Sequence, residues 1–61
     1  MELYKITSAV KVTENLSWNR VCDILVASDD GDVWGAHEWL EERGEYPFLS
    51  VSGDQMILTR M

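Results

Sequence analysis

The chain has 61 residues, a net charge of −6 and a pI of about 4.4. That length suits one domain with a thin core and leaves little room for a deep ligand pocket, which argues against an enzyme. The acidity argues against direct binding of DNA or RNA, because phosphate contacts need clustered Lys and Arg, and it favours a basic protein surface as partner.

An apolar content of 46% with three Trp predicts a packed core rather than disorder. Residues 1–61 read as a single domain without repeats, linkers or low-complexity segments. Cys22 is the one cysteine, so no internal disulfide can form, which fits a reducing compartment. "MELYKITSAVKVT" has neither the basic nor the apolar region of a signal peptide. No apolar run approaches the roughly 18–20 residues of a membrane span. A cytoplasmic location without membrane contact is therefore expected.

From Leu3 to Thr13 the residues alternate, with Tyr4, Ile6, Val10 and Val12 on one side, which predicts a half-buried strand. "TENLSWN" reads as a turn or hairpin loop with Glu14 and Asn15 at its tip. In "WNRVCDILVAS", Trp18, Val21, Cys22 and Leu25 fit helical spacing, while Cys22, Ile24 and Val26 fit one face of a strand. The β-branched run and the acidic breaker after it favour a strand over roughly residues 18–27.

A helix is predicted over about residues 30–43. Ser28 or Asp29 serves as its N-cap, and Asp30 and Asp32 complement its positive end. Val33, Ala36, His37 and Leu40 form the inward stripe, and Arg43, Gly44 and Pro47 supply stop signals. "FLSVSGDQMILTRM" is strand-like over 48–60, with "SGDQ" either a hairpin turn or a bulge. The expected fold is α+β: a small antiparallel sheet of three or four strands packed on one helix, in the order ββαβ(β).

Between Ser28 and Glu45 the chain holds Asp29, Asp30, Asp32, Glu38, Glu41, Glu42 and Glu45 against Arg43 alone. This stretch therefore carries a charge equal to that of the whole protein. It is not a calcium loop. Placing Gly31 at the loop's glycine puts Val26 and His37 at its first and last ligand positions, and neither fits. One Cys and one His cannot close a zinc site, and nothing local brings Cys22 and His37 together for nucleophilic catalysis. In an apolar run Cys22 reads as a small buried hydrophobe. No glycine-rich loop precedes the helix to cradle phosphate. No catalytic, cofactor-binding or metal-binding residues are assigned.

What remains is recognition by surface. On a helical wheel Trp34 and Trp39 border an outer arc of Glu38, Glu41 and Glu42. Indoles anchor interfaces, and neighbouring carboxylates steer toward and pair with Lys and Arg. The competing structural reading folds both indoles over the sheet edges and leaves the acids to solvate the helix. The candidate partner-binding residues are Asp30, Asp32, Trp34, Glu38, Trp39, Glu41, Glu42 and Glu45.

The succession "MELYKITSAVKVT", "DILVASDD" into "VWGAHEWLEERG", and "FLSVSGDQMILTR" resembles small acidic proteins encoded early by phages and mobile elements. It is similar to the small coliphage inhibitor of bacterial RNA polymerase and to compact anti-CRISPR proteins. The likeness covers nearly the whole chain as a layout and carries no residue roles. It implies a protein that blocks host nucleic-acid machinery, often by occupying a basic groove meant for DNA or RNA. The expected function is a non-enzymatic inhibitor or adaptor of this anti-defence or host-takeover type. Its acidic helix face would act as a nucleic-acid mimic. The alternatives are a self-associating structural domain, such as a homodimer, and a small metal-binding or enzymatic domain.

Overall fold

A computed structural model of the chain describes residues 2–28 and 32–61. Six elements follow one another: strands β1 (Tyr4–Ser8) and β2 (Val12–Leu16), helices α1 (Trp18–Ala27) and α2 (Val33–Arg43), and strands β3 (Glu45–Leu49) and β4 (Gln55–Arg60). The strands form one antiparallel sheet in the order β2-β1-β4-β3. The fold is α+β with a four-stranded antiparallel sheet, as the patterning predicts, but its second layer holds two helices and the order is ββααββ.

The correction begins in the first strand. Ser8 turns the chain: its N–H donates to the Lys11 carbonyl at 2.8 Å, and its hydroxyl accepts from the Lys11 N–H at 3.2 Å. Tyr4 and Ile6 stay on the inward face, while Val10 sits on the turn at 91% exposure. Val12 returns opposite Thr7 on the outer face. Two short strands therefore replace one long one, and "TEN" belongs to β2 instead of a loop. A register shift between Tyr4 and Ile6 leaves Asn15 at φ 60°, the left-handed region that Asn tolerates better than most residues.

Residues 18–27 form a helix, not the expected strand. Ser17 explains its start, since the backbone there is extended and the hydroxyl accepts from the Arg20 N–H at 3.2 Å. Helical spacing then places Val21 and Leu25 one turn apart, and both are fully buried. A strand would have pointed Val21 and Leu25 the same way but exposed the intervening apolar side chains. The helix instead gathers Trp18, Val21, Ile24 and Leu25 over the sheet.

Helix α2 starts at Val33, three residues later than expected. Asp32 holds the N-cap position, its carbonyl accepting from the Ala36 N–H at 2.7 Å, without a cap bond from its carboxylate. Of the expected cap residues, Ser28 ends α1, donating its hydroxyl to the Leu25 carbonyl at 2.7 Å. Asp29 lies outside the described residues. The expected stop holds: Gly44 takes φ 82°, which a side chain would strain, and its N–H donates to Leu40 at 3.1 Å.

The chain enters β3 at once, so Pro47 sits within an edge strand, where a missing N–H is tolerated. The turn reading of "SGDQ" prevails over the bulge, in a longer form. Residues 50–54 link β3 to β4, with the Gly53 N–H donating to Ser50 and the Ser50 N–H to Asp54, both at 2.9 Å.

Both helices cover one face of the sheet. The core comprises Tyr4, Ile6, Leu16, Val21, Leu25, Ala36, Leu40, Tyr46, Phe48 and Leu58. Full burial of a side chain such as Leu25 or Leu58 contributes about 1.5–3 kcal/mol. In a domain this small, each is a large share of total stability. On the opposite face the registers align Val12, Thr7, Ile57 and Pro47 in one row, and Lys5, Thr59 and Glu45 in the next. Neither helix covers that side. No helix among the described residues is long and apolar enough to cross a membrane.

Candidate functional site

Helix α2 carries most of the sequence-predicted site residues. Its buried side is marked by Ala36 and Leu40. At 100° per residue, Trp34 lies about 140° from the centre of that side and Trp39 only about 80° away. Glu38, Glu41 and Glu42 share the outward arc with Trp34. The two indoles therefore do not border the acids symmetrically. Trp34 stands among them at 82% exposure, whereas Trp39 leans back toward the sheet at 37%.

Contacts explain the difference. Trp39 meets Tyr46 edge-on at 6.0 Å, and the Arg43 guanidinium lies 4.5 Å from the centroid of its ring. Among the described residues Trp34 has no such ring or cation contact. It opens instead onto a cavity of about 250 Å³ lined by Trp18, Val33, Trp34 and His37. Trp18 is fixed there by Tyr4, ring to ring at 5.2 Å, and His37 meets it edge-on at 5.9 Å. His37 was expected on the inward stripe. It sits mid-helix, beside the buried face, with its side chain 56% exposed and Nε2 4.0 Å from Glu41.

The acids divide into two groups. Glu41 is engaged by Arg60, whose guanidinium donates to it at 2.6 Å while its Nε lies 3.6 Å from Glu2. The Glu41 hydrogen bond is the main influence holding the Arg60 guanidinium above its ordinary pKa. Tyr4 donates to Glu2 at 2.9 Å, and burial, reinforced by that carboxylate, raises its phenol pKa. Glu38 and Glu42 are exposed on the outward arc.

Asp32 is exposed at the start of α2, where its backbone N–H donates to the Tyr46 hydroxyl at 3.3 Å. Glu45 falls elsewhere. Alternation from the buried Tyr46 and Phe48 places it on the sheet face away from the helices. Asp30 lies outside the described residues. The fold thus brings Trp34, Glu38, Glu41 and Glu42 together, keeps Asp32 at the helix end, and sets Trp39 and Glu45 apart.

Sequence reasoning missed Trp18 and Arg60. Trp18 enters the site because Ser17 starts a helix, and Ser-Trp before an apolar i, i+3, i+7 pattern is the signal that could have found it. Arg60 arrives through β4 pairing with β1, a contact that no local pattern encodes.

A second, apolar groove of about 400 Å³ runs between the end of α1 and the β3–β4 turn, lined by Ile24, Ala27, Phe48, Val51 and Met56 among others. Among the described residues no group of three or more His, Cys, Asp and Glu could hold a metal ion. Cys22 is free and half-buried. Compared with known proteins, the chain matches no family model, no curated sequence and no solved structure.

Proposed function

We propose that this chain is a non-enzymatic binding protein, an inhibitor or adaptor of the phage type. In this reading the outward face of α2 docks on a basic, nucleic-acid-binding surface of a host protein in the cytoplasm. The supporting observation is Trp34, an indole 82% exposed on the same arc as Glu38, Glu41 and Glu42. An exposed indole with carboxylates further along the same arc suits an interface: the ring would be buried while the acids take the place of phosphates in pairing Lys and Arg. With Glu41 paired to Arg60, Glu38 and Glu42 are the acids of this arc without an ion pair among the described residues.

The test is capture from a bacterial lysate on immobilised chain, beside a Glu38→Lys, Glu42→Lys double variant. The expected result is retention of a nucleic-acid-binding protein that added nucleic acid or moderate salt displaces and that the double variant fails to hold. Equal retention by the variant, or indifference to nucleic acid, would overturn the reading.

A second reading, self-association, is favoured by the uncovered sheet face bearing Val12, Ile57 and Pro47. Sedimentation over a concentration series decides it, since a monomer throughout would rule it out.

A further inference from the structure

We propose that the cavity between Trp18 and Trp34 receives a single arginine side chain of the partner. The inference rests on the docking role of the α2 face and names the group that this face selects.

Three observations carry it. First, the lining is two indoles, the His37 imidazole and Val33, with no Lys or Arg among them. At about 250 Å³ the cavity lies just below the ~300–1,000 Å³ of sites for drug-sized ligands, a scale that suits one side chain. Second, a carboxylate lies beside it. Glu38 is one turn from Trp34, while Glu41, 4.0 Å from His37, is already engaged by Arg60. An exposed carboxylate next to an aromatic floor draws a cation and disfavours an anion.

Third, the chain already uses this chemistry on its other exposed indole. The Arg43 guanidinium sits 4.5 Å from the Trp39 centroid, so one indole of α2 is supplied with a cation from within. Trp34 has an indole face of the same kind and no internal cation over it among the described contacts. A planar, weakly hydrated guanidinium stacks on such a face better than the compact ammonium of lysine.

The test uses the intact chain and two small probes, N-acetyl-arginine amide and its neutral isostere N-acetyl-citrulline amide. Indole N–H resonances of the three Trp are followed in nitrogen–proton correlation spectra during titration. The expected result is saturable shifts at Trp18 and Trp34, little change at Trp39, and binding of citrulline about three- to tenfold weaker. Trp34→Ala, at an exposed position, should fold normally and lose the response at Trp18. Equal binding of both probes, shifts confined to Trp39, or no saturable response would overturn the proposal. If the probes fail while the Glu38 and Glu42 reversals still abolish capture of the host protein, the face is retained and the arginine pocket alone is rejected. If the probes bind and the reversals leave capture unchanged, the docking reading falls instead.

Discussion

Helices α1 and α2 are nearly equal in length and lie on the same side of one sheet, yet they divide their residues differently. Helix α1 places Val21 and Leu25 in the core with no accessible surface and adds Trp18 and Ile24 around them. Helix α2 buries only Ala36 and Leu40, and a broad outward arc remains for Trp34 and three glutamates. Their starts differ likewise. Ser17 closes the first turn of α1 with a side-chain bond, while Asp32 at the head of α2 makes none. The difference separates an anchoring helix from a presenting one, and it can be tested residue by residue.

The largest effect is expected in the core of α1. Leu25→Ala should cost about 2–5 kcal/mol, enough to unfold much of so small a domain, as read from urea or thermal melts by circular dichroism. Trp34→Ala should change stability by no more than about 0.5 kcal/mol, since nothing in the core leans on it. Comparable losses from both variants would break the distinction between the helices.

Within α2 the two indoles should separate. Trp39→Ala removes the edge contact to Tyr46 and the ring beneath Arg43, and should cost about 1–2 kcal/mol in the same melts. A loss as small as that of Trp34→Ala would show that Trp39 also belongs to the presenting face.

The caps give a smaller contrast. Ser17→Ala should destabilise by about 1 kcal/mol. Asp32→Ala should remove only its charge effect on the helix end, about 0.3–0.5 kcal/mol. Equal costs would mean that the Asp32 carboxylate caps α2 in solution.

The smallest effect concerns Tyr4, on which Trp18 rests. Its phenol pKa is raised above 10.0, chiefly by burial, so the folded state holds its proton more tightly than the unfolded chain does. The associated stability is fully present below pH 10.0 and falls as pH rises through the higher folded value. Denaturation followed from pH 9 to 11 should show this alkaline loss in the parent chain, and Tyr4→Phe should flatten it.

Much of the fold is legible along the chain because its signals are local. Alternation at Tyr4 and Ile6 identifies β1, and Ala36 and Leu40 one turn apart identify α2. The Arg43–Gly44 stop is equally local, since glycine takes the left-handed backbone that ends a helix without strain. The acidic arc is equally legible, being a matter of helical spacing. Residues 18–27 are not, since a run of Val, Ile, Leu and Val satisfies either period. The hairpin at Ser8–Lys11 is marked only by a slip in the alternation at Ser8 and Ala9, as no Gly or Pro stands there.

The sequence by itself determined a small acidic α+β domain, an antiparallel sheet and a helix with glutamates outward. Those follow from side-chain periodicity and backbone preference, which act over a few residues. Only the tertiary structure decided which indole is free. Trp39 is claimed by Tyr46 from β3, Trp18 is brought in by a helix packing on β1, and Glu41 is taken by Arg60 from β4. Each of these contacts joins residues on different elements, and their partners are set by how the layers pack rather than by any pattern within one element.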